Sequence, residues 1–346
     1  MTQVPARRTE PTMRDIAALA GVSIKTVSRV INDQGGAGAD VVQRVRDAVQ
    51  ALGYRPNLTA SSLRRADRLS ATLGVLVEDL SNPFDSTLLR AVEERAQRDS
   101  VLVLAGSAED NLDLQRERLG SLAARRVDGM VVMAASGPQD DLRQERTHGT
   151  PMVLVDRPPT FDYTDSVTTT NRESSREAVR QLASYGHRHI ACLGGRQTVW
   201  TSRERRTGYL EGLAEAGLRR LDEWMCMDLK GVDAAERAVA TMLDAADPPT
   251  ALFTAQNLIT VGAMRVLQAR GWKHRIALIG FDDFPLADMV DPAITVVRQD
   301  VPLIGRTAAD LVLSRIQGDR SPAVHAVVPA DLVRRGSGEL RPQPPG

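Results

Sequence analysis

The chain has 346 residues, 42% of them hydrophobic and 25% charged, and its 44 basic side chains balance 44 acidic ones. At ~150 residues per domain, this length predicts about two domains with room for full cores. Two cysteines, Cys192 and Cys226, exclude both a disulfide scaffold and a thiolate cluster of their own, and they fit a reducing cytoplasm.

The zero net charge divides unevenly along the chain. Residues 1–68 carry eleven Lys and Arg against six Asp and Glu, a net of +5, which leaves −5 for the remainder. A basic head on an acidic body predicts an anionic partner for the head. Residues 1–11 show no apolar period and are expected to form a disordered arm. Thr12 then opens a helix, with Asp15 three residues on as an approximate capping box. Ile16, Ala17 and Ala20 give that helix one apolar face, and Gly21 ends it. Ser23 is an N-cap for a second helix, in which Val27, Val30 and Ile31 face inward and Asn32 is the stop. Two short helices around a glycine turn form the helix-turn-helix pattern, expected over residues 12–56.

Ile24, Lys25, Ser28 and Arg29 are left on one outward face near the start of the second helix. An arginine there can grip guanine O6 and N7 in a major groove, while Ser23, Thr26 and Ser28 offer hydroxyls to phosphate oxygens. A third helix is expected from Ala39 to Leu52, with Val41, Val45, Ala48 and Leu52 as its stripe and Gly53 as its stop. The run Leu58 to Arg65, capped by Asn57, is too short to hold as an isolated helix and reads as part of a hinge over residues 57–68.

The stretch Thr12-Met13-Arg14-Asp15-Ile16-Ala17-Ala18-Leu19-Ala20-Gly21-Val22-Ser23, with Thr26-Val27-Ser28-Arg29-Val30-Ile31-Asn32, resembles the head of the LacI/GalR family of transcription regulators. Leu52-Gly53-Tyr54-Arg55-Pro56-Asn57 and Ala60-Ser61-Ser62-Leu63-Arg64 resemble that family's third-helix exit and hinge. The resemblance implies a homodimer on a pseudo-palindromic double-stranded DNA operator. Its DNA contacts would come from Thr12, Ser23, Ile24, Lys25, Thr26, Ser28, Arg29, Asn32, Tyr54, Asn57, Ala60, Leu63 and Arg64. Leu63 would wedge into a central base step in the minor groove. One departure is Ala37-Gly38, where the family usually has Val-Ser, so a phosphate contact from that serine is missing or passes to a backbone N–H.

From Leu69 onward, apolar strands alternate with helical periods. Strands are expected at Ala71–Val77, Val101–Ala105, Gly129–Met133, Pro151–Val155, His189–Leu193, Ala251–Ala255 and Ile276–Gly280, with helices such as Ser86–Arg98 and Arg172–Tyr185 between them. Such alternation predicts parallel sheets covered on both faces, with a break near Ser166 to Asn171. The fold class is therefore an all-α helix-turn-helix head joined to an α/β body. Asp79-Leu80-Ser81-Asn82-Pro83-Phe84, Arg125-Arg126-Val127-Asp128-Gly129, Gly186-His187-Arg188-His189-Ile190, Phe281-Asp282-Asp283 and Arg298-Gln299-Asp300 extend the family resemblance as far as Arg335.

For the body, the resemblance implies a periplasmic-binding-protein-like pair of Rossmann-like lobes over 69–340. Lobe 1 would hold about 69–168 and 300–328, lobe 2 about 169–298 and 329–340, with 341–346 as a tail. A small ligand would bind between the lobes, on Asn82, Phe84, Asp85, Asp156, Arg203, Leu229, Gln256, Asp282 and Gln299. Arg203 is the leading candidate, able to fork two hydroxyls or one carboxylate. Asp85 and Leu229 stand where the family usually has aromatics, and Gln256-Asn257 replaces a commoner Asn-Asp pair. Less stacking surface and an added carboxylate suggest a polyhydroxylated effector, a sugar or sugar derivative.

Enzymatic chemistry has no foothold here. The chain contains no G-x-x-x-x-G-K-[ST], H-E-x-x-H or G-x-S-x-G, no strand followed by G-x-G-x-x-G, and nothing that calls for a cofactor. His187 and His189 lack a third metal ligand, so no metal is expected. The body alone would also suit a sugar-binding or sugar-processing α/β protein without a transcriptional role, or a solute-binding transport component. The basic head argues against both, and a cleft-bearing body argues against a DNA-packaging protein. No run approaches the ~18 apolar residues of a membrane span, and no secretory signal is visible, so a cytoplasmic protein without a membrane partner is expected. The end of the chain lacks leucine heptads, which predicts a dimer rather than a larger assembly.

Overall fold

The computed structural model describes residues 11–31, 35–54 and 69–343. The expectations for the arm before Pro11, for Asn32, and for Asn57, Ala60, Leu63 and Arg64 of the hinge lie outside the described residues. The chain divides after Ser70 into two units, each with its own core.

The first unit has helices α1 (Met13–Ala20), α2 (Ile24–Ile31) and α3 (Ala39–Leu52). Ile16, Ala17 and Ala20 of α1, Val27 of α2, and Val45 and Ala48 of α3 are buried together, and Val30, Ile31, Leu52 and Tyr54 pack on them. Gly21 ends α1 in the left-handed region at φ 64°, where a side chain would be strained, and this turns the chain sharply into α2. Gly38 precedes α3 and brings no side-chain cap.

The second unit holds two six-stranded sheets. Its elements are β1 (Thr72–Val77), α4 (Pro83–Gln97), β2 (Leu102–Ser107), α5 (Leu112–Ala124), β3 (Gly129–Val132), α6 (Asp140–Thr147), β4 (Met152–Val155) and β5 (Asp165–Thr169). Next come α7 (Asn171–Ser184), β6 (Ile190–Leu193), α8 (Trp200–Glu215), β7 (Met225–Cys226), α9 (Gly231–Leu243), β8 (Ala251–Thr254), α10 (Asn257–Ala269) and β9 (Ala277–Phe281). Last are β10 (Thr295–Gln299), α11 (Val301–Ile316), β11 (His325–Val328) and β12 (Ala330–Val333).

One sheet runs β11-β5-β4-β3-β1-β2 and the other β12-β10-β9-β8-β6-β7. Every pairing is parallel except β10 with β12. Several inner strands read as apolar runs, such as Gly-Met-Val-Val in β3 and Met-Val-Leu-Val in β4, because helices cover both faces of each sheet. Each fully buried Val or Leu contributes ~1.5–3 kcal/mol.

The chain passes between the sheets at Thr170, at Asp300 and at Pro329. Two of these passages are laced together: Thr169 Oγ1 donates to the Val328 carbonyl at 2.7 Å, and the Ala330 N–H donates to Thr170 Oγ1 at 3.0 Å. In both sheets the strand order reverses beside the first strand, between β1 and β3 and between β6 and β8, and ligands of open α/β sheets collect at the carboxyl ends there.

His187, weighed above as a metal ligand with His189, is buried in a structural role. Its Nδ1 lies 2.9 Å from Thr250 Oγ1, and its Nε2 donates to the Leu340 carbonyl at 2.9 Å. Burial pushes its pKa down, which keeps the ring neutral.

Candidate functional site

In the first unit, α2 turns Val27 fully inward and leaves Lys25 and Arg29 exposed, with Ile24 beside them 45% exposed. The helix contains no acidic residue, so its outward face is uniformly positive. Ser23 caps it: its Oγ accepts the Thr26 N–H at 3.1 Å and lies 2.9 Å from Thr26 Oγ1. That contact uses only one of the two hydroxyl protons. Ser28 is half-buried on the same helix.

Thr12 is engaged at the start of α1, where its N–H and its hydroxyl both donate to Asp15 Oδ2 at 2.7 Å. Those bonds hold the Asp15 carboxyl below the usual range. Tyr54 is half-buried against the core of the unit.

In the second unit, a cavity of ≈ 420 Å³ opens between the carboxyl ends of the two sheets. Asn82, Phe84 and Asp85 reach it from the turn after β1 and the start of α4, and Asp156 from the end of β4. From the other lobe come Leu229, Gln256 after β8, Asp282 after β9, and Gln299 at the end of β10. All the cleft residues read from the sequence line this cavity except Arg203.

Arg203 is a correction. Its side chain is exposed and donates to the carbonyls of Gln197 and Thr198 at 3.0 and 2.7 Å, bracing the turn before α8. The arginine that α8 brings to the cavity is Arg205. Two residues apart on a helix means about 200° of rotation, so the two arginines occupy opposite faces. The buried face of α8 is Thr201, Arg205, Gly208, Tyr209, Gly212 and Leu213, and that three-and-four spacing from Gly208 and Tyr209 is the sequence signal that singles out Arg205.

Arg205 is held through two of its three guanidinium nitrogens. Its Nε donates to Asn171 Oδ1 at 2.8 Å, and its Nη1 donates to the Ala255 carbonyl at 2.9 Å and to Asp282 Oδ2 at 3.2 Å. Its guanidinium carbon sits 3.7 Å above the centre of the Phe281 ring. Gln299 Nε2 donates to the other Asp282 oxygen at 2.6 Å. The Asp282 carboxylate is thus fixed in place before any ligand arrives.

The opposite wall is acidic, and Glu78 and Arg157 join the expected Asp85 and Asp156 there. Arg157, 5% exposed, bonds Glu78, bonds Asp110 Oδ1 at 2.7 Å, and lies 3.7 Å from Asp156 Oδ2. Burial raises the pKa of Glu78 and of Asp156 in spite of this guanidinium. Burial works against ionised Asp110 too, but Arg157 and the Ser136 N–H outweigh it and hold that carboxyl low. Asp85 is 3% exposed and accepts the Asp79 N–H at 2.6 Å. Burial, reinforced by the charges of Glu78 and Asp156, raises its pKa to about 7.

Two contacts span the lobes at the cavity: Arg196 Nη2 lies 2.9 Å from Asp110 Oδ2, and Asn257 Nδ2 donates to Asn82 Oδ1 at 2.9 Å. Among the described residues, no group of three or more His, Cys, Asp or Glu side chains could hold a metal ion.

Residues 12–57 match the bacterial regulatory proteins of the lacI family, and residues 179–338 match the periplasmic binding protein-like domain. The chain is 32% identical over 309 residues to the HTH-type transcriptional repressor PurR of Aliivibrio salmonicida, spanning 88% of this chain and 92% of that protein. It is 32% identical over 329 residues to the HTH-type transcriptional regulator GalS of Salmonella typhimurium, spanning 94% and 96% of the two. Among solved structures it is similar to the Lac repressor dimer bound to operator and the anti-inducer ONPF, with a TM-score of 0.84, 25% identity and coverage of 96% and 100%. It is also similar to the transcriptional regulator CelR in complex with cellobiose, with a TM-score of 0.71, 30% identity and coverage of 94% and 99%.

Proposed function

The chain belongs to the LacI family of bacterial regulatory proteins, and from that membership we propose that it is a repressor whose operator binding is set by a carbohydrate effector in the cleft. It is a DNA-binding transcriptional regulator under small-molecule control, and its relatives are regulators rather than enzymes. Two copies bind a pseudo-palindrome through α2, with Arg29 and Lys25 toward the DNA. Chromosomal DNA as the target places the protein in the cytoplasm. Among the described residues, no helix is long and apolar enough to cross a membrane.

The observation that carries this reading is the fixed Arg205–Asp282–Gln299 network facing Asp156 across a cavity, within a chain that also carries a basic, acid-free recognition helix. Carboxylate and guanidinium groups locked in place suit ligand hydroxyls, and CelR, a relative, is solved with cellobiose. An effector can alter DNA affinity only by binding one lobe arrangement better than another, and such coupling is typically ~1–3 kcal/mol.

The test is to map the DNA bound by the protein across its own genome, then to measure binding to the recovered site with and without mono- and disaccharides. Two half-sites related by a two-fold axis, released by at least one sugar, are expected. Binding without sequence preference, or an affinity that no sugar alters, overturns the proposal.

A further inference from the structure

We propose that the effector carries a protonated amine alongside its hydroxyls, and that the amine is seated on the lobe-1 wall between Asp85 and Asp156. The inference rests on the cleft being the effector site.

The charges around the cavity do not balance. Arg157 is engaged by Glu78 and Asp110, Arg196 by Asp110, and Arg205 by Asp282. Asp85 lines the same cavity without a cation of its own, and Asp156 shares Arg157 with Glu78 and Asp110. Asp85 is 3% exposed; one oxygen takes the Asp79 N–H, and the other has no hydrogen-bond partner among the described residues. Asp156 has Arg157 Nε at 3.7 Å, beyond hydrogen-bond reach, and feels Arg205 as well, yet burial outweighs both and keeps its pKa raised.

An acceptor oxygen left open in the cavity lining can take a ligand donor, and two neighbouring carboxylates favour a positive one. The near-neutral pKa of Asp85 is the mark of that unrelieved repulsion and burial. A ligand ammonium would supply both donors and charge. A phosphate or carboxylate would meet guanidiniums whose charge is already matched, Arg205 by Asp282 and Arg196 by Asp110, and Lys230, the remaining cation of the lining, is exposed. Phe84 is the one aromatic side chain among the lining residues, so polar contacts rather than ring stacking decide the choice.

The test titrates the full-length protein with D-glucose, D-galactose and D-mannose, with their 2-amino-2-deoxy forms and with their 6-phosphates. In at least one series, the amino sugar is expected to bind about tenfold or more tighter than its neutral parent, with the 6-phosphate silent. Asp85→Asn and Asp156→Asn should each cut that preference about tenfold. The wild-type comparison stands even if one variant fails to fold. Neutral parents binding as well as the amino sugars, or 6-phosphates binding, overturns the amine seat while leaving the effector cleft in place. Silence from all members, in binding and in operator release alike, removes the cleft reading and the amine seat together.

Discussion

Asp156 and Asp282 stand at matching places in the two lobes. Asp156 follows β4, adopts φ 66° and donates its N–H to the Val167 carbonyl of the next strand at 3.0 Å. Asp282 follows β9, adopts φ 71° and donates to the Val297 carbonyl at 2.9 Å. A left-handed residue other than glycine costs of the order of 1 kcal/mol, and Asp is among the few side chains that tolerate it. Both carboxylates line the cavity, so a ligand that touches both rewards the lobe arrangement in which they face each other. Their surroundings differ in one respect. Asp282 has its own guanidinium in Arg205, whereas Asp156 stands third in line at Arg157.

Removing Arg205 leaves Asp282 buried and uncompensated. Arg205→Ala is expected to destabilise the body by ~3–5 kcal/mol, the usual cost of breaking a buried pair from one side. Adding Asp282→Asn should recover part of that loss. Arg203→Ala, on the exposed face of the same helix, should stay within about 0.5 kcal/mol. Urea unfolding of the three variants decides the matter. Equal losses at 203 and 205 would mean that the network around Asp282 is not what stabilises the lobe.

Asp85 sets a pH dependence with a definite sign. Its carboxyl is raised from 3.8 to about 7, so between those values the folded chain keeps a proton that the unfolded chain has lost. Stability from this group is therefore greatest below about pH 4 and declines as pH rises toward about 7, by a few kcal/mol in order of magnitude. Glu78 and Asp156 are raised as well and share that sign, so the useful quantity is the difference between wild type and Asp85→Asn. The variant should lose less stability over this range and be the more stable protein at its upper end. Parallel melting-temperature curves for the two proteins would contradict it.

The sequence carried the head and the inner strands because those segments obey one period each. Ile16, Ala20 and Val27 fall on helical spacing, and β1, β3, β4, β6, β8 and β9 are unbroken apolar runs. The strands β5, β7, β10, β11 and β12 escaped. Asp165-Ser-Val-Thr-Thr is buried through side-chain bonds such as Arg315 to Asp165, and His325-Ala-Val-Val and Ala330-Asp-Leu-Val lie at sheet edges, where polar residues are tolerated. The same contrast holds in the cleft. Asn82, Asp85, Asp156 and Asp282 follow readable strand ends, whereas Arg157, Asp110 and Arg196 meet only through contacts 47 or more residues apart, which no local pattern encodes. Arg203 and Arg205 are the same residue type two positions apart, and only the buried face marked by Gly208 and Tyr209 separates them.

On the recognition helix, Arg29→Ala is expected to cost ~1–3 kcal/mol per half-site and to relax preference at one base pair. Lys25→Ala should instead weaken binding on all sequences alike and reduce the salt dependence by about one ion. Competition binding with operators substituted one position at a time separates the two. A uniform loss for Arg29→Ala would make it a phosphate contact only.

Two helical glycines should respond to alanine with opposite signs. At Gly208 a Cβ would collide with the Arg172 carbonyl oxygen and stand 2.9 Å from Ser175 Cβ, so α7 and α8 must part to admit it. Overpacking of this kind costs ~1–3 kcal/mol. Arg205 sits one turn earlier on α8 and is bonded to Asn171 at the start of α7, so parting the helices also draws the guanidinium away from its place beside Asp282. Gly208→Ala should therefore lose effector affinity as well as stability. Gly120, inside α5, has nothing within 4 Å of its would-be Cβ and no unusual backbone angle. Gly120→Ala should gain ~0.5–1 kcal/mol by removing backbone freedom from the unfolded chain, with effector binding unchanged. Thermal unfolding and effector titration of both variants test the pair. Were Gly208→Ala to bind effector normally, the close approach of α7 to α8 would have no part in placing Arg205.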